Sequence, residues 1–212
     1  MANISKLPDL AFIDVETTGL EPHKHRVIEI AAARIDLATN PHLWADTPVI
    51  QSFKIKPNES CLIDAQEEAL AINGYKANVA SWADAPEMDS ADAAAVWRQI
   101  WEVCRYASLA TQNVPFDKGF AMAEFKYHGI VNAEPWARRF CDIQSYSIAI
   151  ALQYGLTKWG LSDVYAALVK YEGYEAIPTH RAAGDVLAGY RITRRALRKL
   201  VPAPNSGAQE GR

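Results

Sequence analysis

The chain has 212 residues, half of them hydrophobic and 22% charged, with a formal net charge of −3. That length and apolar content favour one domain with a substantial core, and the mild acidity argues against the broad basic surface that coats nucleic acid non-specifically. The three cysteines, Cys61, Cys104 and Cys141, are odd in number and lack CxxC spacing, which argues against a disulfide framework or a structural zinc site and suits free thiols in a reducing cytoplasm.

The opening MANISKLPDL has no apolar signal core, and nowhere do about 18 apolar residues run together as a membrane span requires. Leu10 to Val15 is a short apolar run ending at Thr17-Thr18-Gly19, the pattern of a buried strand followed by a turn. Arg26 to Asp36 reads as a second strand, and Val49 to Ile55, closed by Pro57, as a third. Three strands so closely spaced predict a β-meander. Asp64 to Ile72 is Ala- and Glu-rich and stops at Asn73-Gly74, so a helix is expected there. The stretch from Ala77 to Asp92 mixes small and acidic residues with Trp82 and Pro86 and reads as an inserted loop. Ala93 to Arg105 has helical composition and Ser108 to Thr111 is a fourth strand. Asn113 can cap the next helix, with Pro115 tolerated in its first turn. Phe116, Phe120, Ala123 and Tyr127 are its predicted apolar stripe and Gly129 its stop. Arg139 to Cys141 is a candidate fifth strand, leading into a helix through Ile150. Further helices are expected over Leu161 to Lys170 and Arg181 to Val201, the last stopped by Pro202. The pattern indicates one α/β domain over residues 1–201, with a disordered tail over 202–212.

Asp14 and Glu16 are two apart at a strand end, so they point to one sheet face. Two carboxylates followed by a glycine turn form a candidate hard-cation site. Asp117 falls in the first turn of the helix capped by Asn113, where the helix terminus favours an anion. His180 and Asp185 are five apart, about 140° around a helix, and cannot share a helical face. If both serve one site, His180 must stand on the loop before the helix and Asp185 inside it. Each feature alone has an ordinary explanation as a polar strand end, a helix start or a surface histidine.

Together, FIDVETTGL, QNVPFDKGF and HRAAGD, in this order, resemble the three motifs of the DnaQ-like DEDDh 3′–5′ exonucleases, a family that includes proofreading subunits of bacterial replicative polymerases and several RNA exonucleases. The resemblance covers about Pro8 to Leu200. It implies an RNase H-like fold, a five-stranded mixed sheet flanked by helices. It implies that Asp14, Glu16, Asp117 and Asp185 hold two divalent cations, Mg²⁺ or Mn²⁺, whose preference for oxygen ligands suits an all-carboxylate set. It gives His180 the role of general base, for which an imidazole titrating near neutrality is competent. It places Thr17, Gly19, Leu20 and Asn113 against the terminal nucleotide. The expected substrate is the 3′ end of DNA, single-stranded or frayed, with release of nucleoside monophosphates. An exoribonuclease is the first alternative, and a non-catalytic nucleic-acid-binding module the second. A polymerase or repair partner is a possible associate, although the long C-terminal polymerase-binding extension of proofreading subunits is missing. Gln112 stands where the family often has histidine.

Two features tempt a nucleic-acid reading and are assigned to structure. Phe116 belongs to the helix stripe and is expected in the core. Arg191, Arg194, Arg195, Arg198 and Lys199 lie far around the last helix from Asp185, and are expected to form a solvated face near its C-terminus.

Overall fold

The computed structural model describes residues 9–39, 41–130, 134–201 and 203. All of the expected 202–212 tail except residue 203 lies outside them. Strands β1 (Leu10–Thr17), β2 (Val27–Ile35), β3 (Gln51–Lys54), β4 (Ser108–Thr111) and β5 (Phe140–Asp142) form one sheet in the order β3-β2-β1-β4-β5. β1, β2 and β3 pair antiparallel, whereas β4 and β5 continue the sheet parallel to β1. The expected meander and mixed five-stranded sheet are both present.

The period of two along β1 decides where the chemistry lies. Ala11, Ile13 and Val15 face one hydrophobic cluster, with Trp97, Ile100, Phe120 and Phe125. Leu10 and Phe12 face the other, with Ile143, Val164, Val186 and Tyr190. Asp14 and Glu16 extend this second row beyond its apolar part. Helices α3 (Ala91–Cys104) and α4 (Val114–Tyr127) cover the first face, and α5 (Ile143–Tyr154), α6 (Leu161–Glu172) and α7 (Ala182–Leu200) the second. Among the described residues no helix is long and apolar enough to cross a membrane.

Four local expectations are corrected. The helix expected over Asp64 to Ile72 is shorter, α2 (Glu67–Ile72), and an unexpected short helix, α1 (Glu59–Ile63), precedes it. Asn58 caps α1, accepting from the Cys61 amide at 2.8 Å, and the Gln66 amide is drawn to the Thr18 carbonyl at 2.7 Å. The segment expected to be a loop from Ala77 contains a 3₁₀ turn, Lys76–Trp82, and supplies Trp82 and Met88 to the core. The buried face of α4 is Asp117, Phe120, Ala121, Glu124 and Phe125, while Tyr127 is exposed. A carboxylate, Glu124, can sit there because Arg26 donates to it twice at 2.8 Å and the Val27 amide once at 3.1 Å.

The fourth correction concerns α7. Arg191, Arg194 and Arg195 are buried instead of forming a solvated face. Arg191 donates to the Tyr165 hydroxyl at 2.5 Å, Arg194 to Asp46 at 2.5 Å and Arg195 to Glu172 at 2.7 Å. Arg198 donates to the carbonyls of Pro41 and His42 at 3.0 and 2.9 Å. Planar guanidinium groups with five donors can be buried where carbonyls and acids surround them. Here they bind the 41–46 segment and the end of α6 to the helix.

Candidate active site

Asp14 and Glu16 project from β1 towards the N-terminal end of α7, where Asp185 stands in the first turn. Each of the three offers a carboxylate oxygen, and these oxygens lie within 4.8 Å of one another. Asp117 reaches the same place from α4. Its carboxylate accepts from the Thr111 hydroxyl and from the amides of Val15 and Asn113, which ties it to β1 and β4. Asn113 caps α4 as expected, accepting from the Phe116 amide at 3.4 Å. Asp14, Asp117, His180 and Asp185 line one cleft of about 440 Å³.

His180 precedes α7 and Asp185 lies within it, the split that their spacing demanded. The His180 amide donates to Asp185 Oδ2 at 3.1 Å. The other oxygen, Asp185 Oδ1, is buried without a hydrogen-bond partner. A buried orphan oxygen is costly unless something supplies positive charge to it.

The electrostatics say the same. Burial, followed by repulsion from Asp117, Asp185, Glu16 and Glu29, holds Asp14 well above the ordinary carboxylate range. Burial and then Asp185 and Glu29 push Glu16 up to about 8, although Arg181 opposes them. Burial pushes Asp117 up to about 7 and Asp185 to about 6. Such a cluster favours the uptake of protons or cations. All four groups offer hard oxygen donors, so the residues fit divalent cations.

Residues 11–193 match the sequence profile of the RNase T family, whose members are described as exonucleases. The chain belongs to the DnaQ-like DEDDh exonuclease family. No curated protein matches this exonuclease-family chain significantly by sequence. Among solved structures it is similar to the zinc-bound form of an Escherichia coli exonuclease I–single-stranded DNA complex. That similarity has a TM-score of 0.65 at 20% identity, over 89% of this chain and 40% of the other. It is similar to an exonuclease I structure described as suggesting how processivity is achieved, with TM-score 0.61 at 20% identity, over 89% and 41% of the two chains. A product-bound exonuclease I aligns with TM-score 0.61 at 19% identity, over 92% and 44%. The exonuclease-family chain thus spans under half the length of these proteins, and at such identity they speak to the fold.

The turn after β1 is built from Thr17, Gly19 and Leu20. Thr17 is buried, with its hydroxyl donating to the Gly19 carbonyl at 2.6 Å. A Cβ on Gly19 would lie 2.5 Å from the His25 ring, so only glycine fits. Leu20 is exposed at the tip. Asn113 lines the cleft with the carboxylates, as does Gln112, whose side-chain oxygen accepts from the Ser147 hydroxyl at 3.3 Å. Phe116, expected in the core, is half-buried: its ring packs on Phe120 at 4.8 Å while also lining the cleft. Sequence reasoning missed the start of α6. Gly160, Leu161, Ser162 and Asp163 form one wall of the cleft. The Gly-Leu-Ser-Asp helix start was visible, but not its approach to Asp117 across the sheet end.

Proposed function

We propose that the protein is a metal-dependent 3′–5′ exonuclease that removes nucleoside monophosphates from single-stranded or frayed 3′ ends of DNA. The observation carrying this reading is the convergence of Asp14, Glu16, Asp117 and Asp185, from one strand and two helices, beside one cleft that also holds His180. Two divalent cations, Mg²⁺ or Mn²⁺, bound there would supply positive charge to the reacting phosphate and the leaving oxygen.

In this reading Asp14, Glu16 and Asp185 would hold one ion, and Asp14 with Asp117, anchored by Thr111, would help to hold a second. His180 stands on the solvent side of the cleft and takes the proton of the attacking water at an imidazole nitrogen. Thr17, Gly19 and Leu20 shape the rim against the terminal nucleotide, and Asn113 adds a polar group beside it. The complex of the similar exonuclease I with single-stranded DNA supports DNA as the substrate. Residues 1–201 form the catalytic domain, and the free thiols Cys61, Cys104 and Cys141 suit a cytoplasmic enzyme.

Matched labelled DNA and RNA oligonucleotides, each with and without chelator, test this reading. Stepwise shortening of DNA from its 3′ end, abolished by chelator and restored by Mg²⁺ or Mn²⁺, is the expected result. Preferential loss of RNA would reassign the substrate, and degradation indifferent to chelator would remove the metal mechanism.

A further inference from the structure

Beside the four acids lies a further carboxylate, and this one is buried. Glu29 stands in β2 directly across from Glu16 and is 3% exposed. Like Asp117, it lies outside the group of Asp14, Glu16 and Asp185 oxygens that are within 4.8 Å of one another, and unlike Asp117 it does not line the cleft. Its charge partner is Arg181, whose Nη2 lies 2.9 Å from Glu29 Oε2. Arg181 occupies the N-cap position of α7, without a capping side-chain bond, and directly follows His180.

The guanidinium is held from a second side. Its carbon lies 5.3 Å from the ring centre of Trp82, a fully buried residue of the 76–82 turn. Trp82 is itself fixed, its Nε1 donating to the Ile28 carbonyl at 2.9 Å. The backbone around Arg181 is confined too. Its carbonyl accepts from the Asp185 amide at 2.9 Å. A Cβ on Gly184 would lie 1.9 Å from the Pro178 carbonyl oxygen, so the segment before His180 rests directly on the first turn of α7.

His180 needs such support. Its φ is 57°, a left-handed conformation that is strained for a residue bearing a Cβ. Among the described residues none hydrogen-bonds its imidazole, so the ring is placed by the backbone that carries it. We infer that Arg181, braced between Glu29 and Trp82, is a positioning residue that holds His180 over the carboxylate cluster. This gives the 76–82 turn a role in the reaction without touching substrate. The inference rests on His180 acting as the base.

The test is a double-mutant cycle joined to a measurement that needs no catalysis. Arg181→Met should lower kcat by about ten- to a hundredfold at little change in KM, and should cost nothing further in a His180→Ala background. The same loss in both backgrounds, or an unchanged kcat, would overturn the inference. Amide hydrogen exchange at His180 should quicken by roughly tenfold in Arg181→Met while the middle of α7 keeps its protection. Unchanged exchange at His180 would equally overturn it. Trp82→Phe, which keeps an aromatic ring but loses volume and the bond to the Ile28 carbonyl, should give the same two changes more weakly if Arg181→Met folds poorly. Hydrogen exchange reads the brace even if the wild type proves not to degrade DNA, so the two failures are distinguishable.

Discussion

The two ends of α7 use charge in opposite ways. At the N-terminal end, Asp185 meets Asp14, Glu16 and Asp117 with too few cations to balance them, and burial raises all four pKa values. Towards the C-terminal end, Arg191, Arg194, Arg195 and Arg198 are as conspicuous in the sequence, yet tyrosine, acids and backbone carbonyls accept from each of them, with Arg194 Nε left unpaired. Burial at the second end is compensated and serves the fold. Burial at the first is left open, which is the condition for a site that receives a cation and substrate. Density of charge in the sequence does not separate the two cases; the supply of partners after folding does.

Substitutions at the two ends should therefore fail differently. Asp185→Asn should reduce exonuclease activity by about a thousandfold or more, since several kcal/mol of charge stabilisation is lost. Its metal-free thermal stability should hold or rise, because one repulsive charge is gone. Arg195→Ala should do the reverse. It strips Glu172 of a bidentate partner, and a loss of about 1–3 kcal/mol in unfolding free energy is expected, discounted because Glu172 is partly open to water. Its kcat below the transition should remain near wild type. If Arg195→Ala abolished turnover in a folded protein, the contrast would be broken.

A smaller effect follows from pH. Glu16, Asp117 and Asp185, raised to about 8, 7 and 6, retain protons in the metal-free fold that the unfolded chain has released above about pH 4. The folded state then binds more protons between about pH 4 and pH 8, so stability falls as pH rises through that window. The Tm of metal-free protein should be lower at pH 8 than at pH 5.5. Saturating Mg²⁺ should raise it more at pH 8, where fewer protons compete. A metal-free Tm that climbed with pH would refute the uncompensated cluster.

Much of the site was legible because local rules fix it. Period two put Asp14 and Glu16 on one face, capping placed Asp117 in a first turn, and 100° per residue forced His180 off the helix that carries Asp185. The strands of β1, β2 and β4 were equally plain from their apolar runs. What escaped depends on distant partners. Arg198 is half-buried and donates to a carbonyl 157 residues away in sequence, a placement with no local signature. The break between α1 and α2 is set by the Thr18 carbonyl. Trp82 looked like an oddity in an insertion until β2 and Arg181 gave it neighbours. Glu29, a lone acid within an apolar strand, was the one hint of the brace, and its meaning waits on the register that sets it beside Glu16.

The central claim is that four scattered acids gather to hold a pair of hard cations. Anomalous diffraction from crystals soaked in Mn²⁺ tests it most directly. Two peaks about 3.5–4 Å apart, touching Asp14, Glu16 and Asp185 with Asp117 beside the second, are the predicted result. A cleft that takes up no Mn²⁺ while its carboxylates remain clustered would contradict it.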